Sequence, residues 1–260
     1  MPEILGGTDF LLALEAFALV AVIIRLLVSG LFRIYPFFFW YLVTQGVQMA
    51  IPLFLSNTST RYLYVYLITE GIITCLYALV ILELYSLVLK GHAGIASAAK
   101  RYVRRGLAFA ILLSVLILQA ERVPSLLRDR FFIVERTMVS SILFFVLAIT
   151  AFLVYYPVRL NRNTIYYSIG YSIYFTSKAI ILFILNTGRS WYAPLETVLL
   201  IVVTGCLLFW ALFLSRKGEE RGGVIGHRWA PADETRLLQQ LEAINQSLIH
   251  ARKEIPTNSR

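Results

Sequence analysis

The chain has 260 residues, 58% of them hydrophobic and only 15% charged, and its mean hydropathy is +0.72. An ordinary soluble domain is about 45–50% apolar and about 25% charged, so this composition excludes disorder, a collagen-like fibre and a disulfide-stapled secreted domain, and it argues against a soluble enzyme. The net charge of +9 would raise nucleic-acid binding in a soluble protein, but here the basic residues crowd into alternate loops, as topology selection and anionic headgroups require, and no nucleic-acid partner is expected.

A helix needs about 20 apolar residues to cross roughly 30 Å of hydrocarbon. Seven runs are candidates: residues 10–32, 36–55, 62–89, 106–120, 131–156, 164–185 and 191–214, the fourth being the shortest. The fold class expected is all-α, a polytopic membrane protein with seven transmembrane helices over residues 1–215. Residues 1–9 hold no Lys or Arg, so the charged start of a cleavable signal peptide is missing. The first run therefore reads as a true span with its N-terminus translocated.

The loops agree with that orientation. Arg33, the group from Lys90 to Arg105, Arg159, Arg162, Arg216 and Lys217 fall on one side. Glu3, Asp9, Arg61, Arg189, and Arg122, Arg128 and Arg130 diluted by Glu121 and Asp129, fall on the other. Positive-inside bias then places the N-terminus outside and the C-terminus in the cytoplasm. Tyr35, Trp40, Tyr41, Tyr62, Tyr64, Tyr155, Tyr156, Trp191 and Tyr192 stand near span ends and read as interface anchors.

An internal repeat is one reading of the spans. Glu15 precedes Tyr35-Pro36 much as Glu135 precedes Tyr156-Pro157. Tyr66 and Glu70 precede Lys90 as Tyr192 and Glu196 precede Lys217, and the intervening spans carry Thr44-Gln45 and Ser177-Lys178. This suggests a three-plus-one-plus-three plan of parallel repeats, a known transporter design. Convergent placement of charges near span ends gives the same pattern.

Charges inside spans are costly and usually face a bundle interior or water. Arg25 and Glu83 share a depth in the inner third and have opposite sign, which predicts a structural ion pair between spans one and three. Glu15, Glu70, Glu135, Arg136, Lys178 and Glu196 fall in the outer half. Lys178 is the deepest of them and needs a carboxylate, Glu196 or Glu70. Tyr66 and Tyr192 lie one turn outside their Glu residues on the same face. The candidate ligand site is therefore Gln45, Tyr66, Glu70, Lys178, Tyr192 and Glu196, with structural pairs and interfacial carboxylates as the alternative. A retinal protein is rejected, because the seventh span has no Lys.

The loop after the third span carries Lys100, Arg101, Arg104 and Arg105, expected to contact anionic lipid headgroups. The tail changes character at Ser215. Residues 216–232 include Gly218, Gly222, Gly223 and Gly226 and read as a flexible linker. Residues 233–254 form an amphipathic helix whose apolar positions, Leu237, Leu241, Ile244 and Leu248, are spaced four, three and four, as in a short coiled coil. A homodimer contact, or docking on a cytoplasmic protein partner, is expected there, with a helix lying on the bilayer as the runner-up.

Cys75 and Cys206 lie in apolar runs, and His92, His227 and His250 are scattered, so neither a disulfide nor a metal site is expected. No hydrolase elbow, metal-protease or nucleotide motif occurs and no Asp or His lies in a span, so no catalytic residue, no cofactor and no enzyme activity are expected.

Glu83-Leu84-Tyr85 through Val88-Leu89-Lys90, then Gly94-Ile95-Ala96, and Tyr156-Pro157 with Asn161-Arg162-Asn163 carry a resemblance. In these segments the chain resembles a family of uncharacterised seven-span bacterial integral membrane proteins. Seven spans followed by a cytoplasmic helix are also loosely similar to the membrane-input modules of bacterial sensors. The resemblance implies a bacterial inner-membrane location. The resulting expectation is a receptor-like module that binds a small polar ligand from outside and signals through its C-terminal helix. The alternatives are a small-solute transporter and a non-catalytic membrane scaffold.

Overall fold

The computed structural model describes residues 2–55, 59–90, 92–120, 127–156, 158–187, 192–220, 222–224 and 231–254. Seven long helices come first: α1 (Pro2–Ser29), α2 (Pro36–Phe54), α3 (Thr60–Val88), α4 (Ala93–Ala120), α5 (Leu127–Tyr155), α6 (Arg162–Thr187) and α7 (Tyr192–Phe213). A short α8 (Arg216–Glu220) and a long α9 (Pro231–Glu254) follow. Strands β1 (Arg159–Asn161) and β2 (Gly222–Val224) pair antiparallel, Leu160 opposite Gly223.

Among the described residues, five helices are long and apolar enough to cross a membrane: α1, α2, α3, α5 and α7. This is compatible with a multi-pass membrane protein. The two remaining long helices each carry a polar stretch. The α4 helix starts at Ala93, well before its apolar run, because the basic segment is rich in Ala, Lys and Arg, which are good helix formers. The α6 helix carries Lys178 and a row of tyrosines.

Local chemistry sets several boundaries. Gly30, at φ 72°, lets the chain leave α1 into a 3-10 turn over Leu31–Arg33. Pro36 opens α2 at a position where its missing N–H costs nothing. The Ser59 hydroxyl accepts the Arg61 amide and starts α3.

Each of the first seven helices packs on its neighbours in sequence, and α7 returns to α1, closing a ring. The α3 helix also touches α5 and α6 across the interior. Polarity is inverted relative to a water-soluble bundle. Phe17, Val28, Leu53, Phe54, Phe144 and Leu212 face outward, while Glu15, Glu70, Glu83, Glu135 and Lys178 are buried. Between the buried charges lies an aromatic core. Phe38 of α2, Tyr171 of α6 and Trp210 of α7 meet with ring centroids 4.9–5.7 Å apart. Gly170 permits this contact, since a Cβ there would lie 2.4 Å from Trp210 Nε1.

The tail departs from the expected flexible linker. Its first part forms α8 and β2, and β2 pairs with the strand that precedes α6. Gly218 sits so close to Asn163 that a Cβ would fall 2.3 Å from Oδ1. Gly218 here serves close packing as well as freedom.

The α9 helix packs on α4 of the same chain. Leu237, Leu241 and Asn245, spaced four and four, are buried, whereas Ile244 is 44% exposed and Leu248 is intermediate. The buried face is thus not the heptad seam expected from the apolar residues. Asn245 replaces an apolar residue because its Oδ1 accepts the Gly94 amide at 2.8 Å, capping the start of α4.

Candidate functional site

Lys178, two-thirds of the way along α6, is the centre of a buried polar network. Its side chain is only 10% exposed, and its Nζ lies 2.9 Å from Glu135 Oε1 of α5 and 3.7 Å from Glu70 Oε1 of α3. Gln48 of α2 donates to Glu70 Oε2 at 2.6 Å. The ammonium also donates to the Tyr77 hydroxyl at 3.4 Å and stands 4.9 Å from that ring's centroid. The Tyr77 hydroxyl is in turn hydrogen-bonded to Tyr174. Two helices, α3 and α5, therefore converge on the ammonium that α6 carries, and α2 joins the network through Glu70. Thr74, one turn along α3 from Glu70, is buried with its hydroxyl unpartnered among the described residues.

The network includes some expected residues and leaves others out. Glu70 and Lys178 are together as expected. Gln48 rather than Gln45 reaches Glu70; Gln45 is half-buried. Tyr66 stacks on Tyr62, ring centroids 6.2 Å apart. Glu196 is exposed and Glu135 pairs with Lys178 in its place. Tyr192 opens α7, and its side chain lies outside the described residues, as does that of Arg136. Glu70 and Glu196, equated by the repeat reading, have different surroundings, and the repeat is not established.

A second polar cluster lies at the opposite end of the bundle. Glu83 accepts the Phe37 amide and the Tyr167 hydroxyl, both at 2.9 Å. Arg25 instead turns to α7, donating to the Leu212 carbonyl at 3.1 Å and to that of Leu214. The expected Arg25–Glu83 ion pair is therefore corrected: each residue serves the end of another helix. A helix start presents unpaired N–H groups to a carboxylate, and a helix end presents unpaired carbonyls to a guanidinium. Beside them, Glu219 of α8 accepts from Tyr35, Asn161 and Asn163 at 3.1, 2.8 and 3.1 Å. Burial, and after it the Glu219 carboxylate, raises the Tyr35 phenol above its ordinary pKa.

The link between the two clusters is α6. Tyr167, Tyr171, Tyr174 and Lys178 recur at steps of four, three and four, which places them on one face. All four are buried, over an axial length of about 16 Å. This stripe is readable in the sequence once tyrosine is counted as a core residue rather than an interface anchor.

At the start of α4, Lys100 is half-buried and donates to Ser86 of α3 at 2.9 Å, while Arg101, Arg104 and Arg105 are exposed. No group of three or more His, Cys, Asp or Glu residues suited to a metal ion occurs among the described residues. No protein-family model, curated protein or solved structure matches the chain.

Proposed function

We propose that the chain is a receptor-like module of seven membrane spans that binds a small polar ligand from the outer side of a bacterial inner membrane. The observation that carries this reading is the Lys178 site, where one ammonium faces two carboxylates. At their ordinary charges the three leave one negative charge unmatched inside the bundle. A ligand with a cationic group, entering from the end where Glu15, Tyr66 and Glu196 lie, would neutralise it. The unpartnered Thr74 hydroxyl offers that ligand a further contact.

The output route follows α6. The helix that holds Lys178 also begins at the residues that grip α8, and its preceding strand pairs with β2. A change at Lys178 that shifts α6 along its axis would reach α8, and through the following segment α9. In this reading α9 presents its exposed Leu238 and Ile244 to a partner or to a second copy of the chain. Signalling then leaves through the C-terminal helix, on the cytoplasmic side.

A carrier is the second reading. It is favoured by buried polar clusters at both ends, Glu70, Glu135 and Lys178 at one and Glu83, Tyr167 and Tyr35 at the other, since alternating access needs polar groups reachable from each face.

The test is a thermal-stability screen of purified protein against cationic and zwitterionic small molecules, wild type beside Lys178→Met. A ligand that binds the folded state raises the melting temperature. A compound that stabilises wild type but not the variant supports the site. Uptake by proteoliposomes that survives deletion of residues 232–260 selects the carrier. If nothing binds, and the variant is destabilised as the loss of a structural pair requires, the scaffold reading takes their place.

A further inference from the structure

Where α3 ends and α4 begins, the two helices leave an open cleft of about 450 Å³. Lys90, Lys100, Arg101 and Arg104 line it, with the hydroxyls of Ser86 and Ser97 beside them. Among the described residues no carboxylate lines it, and both ion pairs are at Lys178, far along the bundle. Four cations therefore converge on one cleft with no counter-ion among the described residues. Lys100 is already aimed by its hydrogen bond to Ser86. Arg105, expected from the sequence to join this group, is exposed and lies outside the cleft.

We propose that this cleft is a discrete site for the phosphate group of an anionic phospholipid. Guanidinium and ammonium groups bind phosphate through charge-assisted hydrogen bonds, and the Ser86 hydroxyl, which accepts from Lys100, keeps its own proton to donate, whereas that of Ser97 is given to the Gly94 carbonyl. The position favours a lipid over a soluble phosphate. The cleft opens just beyond the apolar length of α3, where headgroups lie if that helix spans the bilayer. Tyr102 and Phe109 stand exposed on α4 two turns apart, an outward apolar face along which an acyl chain can rest. The site depends on the membrane location and not on the receptor reading, so the loss of either leaves the other testable.

The experiment is lipid binding to the full chain in neutral detergent, read by native mass spectrometry and by thermal shift. The probes are phosphatidylglycerol, phosphatidylcholine and inorganic phosphate. One phosphatidylglycerol should be retained per chain, at least about tenfold more tightly than phosphatidylcholine. Arg101→Gln with Arg104→Gln should weaken it by about tenfold or more, and Arg105→Gln should leave it unchanged. These arginines are exposed, and the Lys100–Ser86 bond is kept, so the variants should melt like wild type in the absence of lipid. Equal loss with Arg105→Gln, or no preference for the anionic lipid, overturns the site in favour of diffuse surface charge. Inorganic phosphate binding as tightly as the lipid overturns the lipid source.

Discussion

The Glu83 carboxylate of α3 accepts the Phe37 amide of α2 at 2.9 Å, so one helix caps the start of another. The residue at α2's own cap position, Tyr35, makes no side-chain cap hydrogen bond. Replacing Glu83 with Ala should therefore cost about 1–2 kcal/mol for the cap alone, with more lost by leaving Tyr167 unpaired. Glu83→Gln keeps an acceptor and should cost less. Denaturation of the two variants in detergent checks the order. Equal stability of Glu83→Ala and wild type would remove the capping role.

Lys178 should be costly to replace alone and cheaper in company. Lys178→Met leaves Glu70 and Glu135 buried without their cation, a loss of about 3–5 kcal/mol. Adding Glu135→Gln to that variant should recover part of the stability. Coupling measured by a double-mutant cycle should be larger for Lys178 with Glu135 than with Glu70, following the 2.9 and 3.7 Å separations. The reverse ranking would show that the Glu70–Gln48 pair holds the ammonium instead.

The docking of α9 depends on one missing methyl group. A Cβ at Gly94 would lie 2.4 Å from the Asn245 carbonyl oxygen and 2.9 Å from its Oδ1. Gly94→Val should lift α9 from α4, whereas Ile244→Ser, at an exposed position, should leave it in place. Hydrogen exchange of the α9 amides, compared across the two variants, tests this directly. Slow exchange in Gly94→Val would show that the backbone accommodates the side chain.

The aromatic core should be intolerant at Gly170. A Cβ there meets the Trp210 ring at 2.4–2.7 Å, and overpacking of this kind costs about 1–3 kcal/mol. Gly205→Ala, where nothing lies within 4 Å, is the matched control on α7. A melting temperature lowered only by Gly170→Ala is the expected result.

The helices were legible in the sequence because long apolar runs bounded by Pro, Gly and charge leave few alternatives. Their boundaries fall within a few residues of the expected runs except at the start of α1, which begins at Pro2 and not near residue 10, and at α4, whose basic first half carries no hydropathy signal. The site was legible in part. Lys178 and Glu70 stand out as ions in apolar surroundings, but depth alone could not say which face each occupies. Gln45 and Gln48 lie one turn apart, and only packing selects Gln48. Arg25 and Glu83 match in depth and sign, yet helix ends compete for both, and hydropathy does not display helix ends. Asn245 was hidden because its burial is repaid by a hydrogen bond, which no apolar pattern records.

The Lys178 network also bears on how the chain enters a membrane. Glu70 and Glu135 are synthesised before Lys178, and in the seven-span reading their helices arrive first. Until α6 follows, two carboxylates lack their cation. The α6 helix, for its part, carries Lys178, an ammonium that is costly inside a span without its carboxylates. Each side of the network thus carries a cost that only the other removes. Insertion of α6 and neutralisation of α3 and α5 become a single event, and assembly of the bundle is ordered by charge as well as by chain sequence.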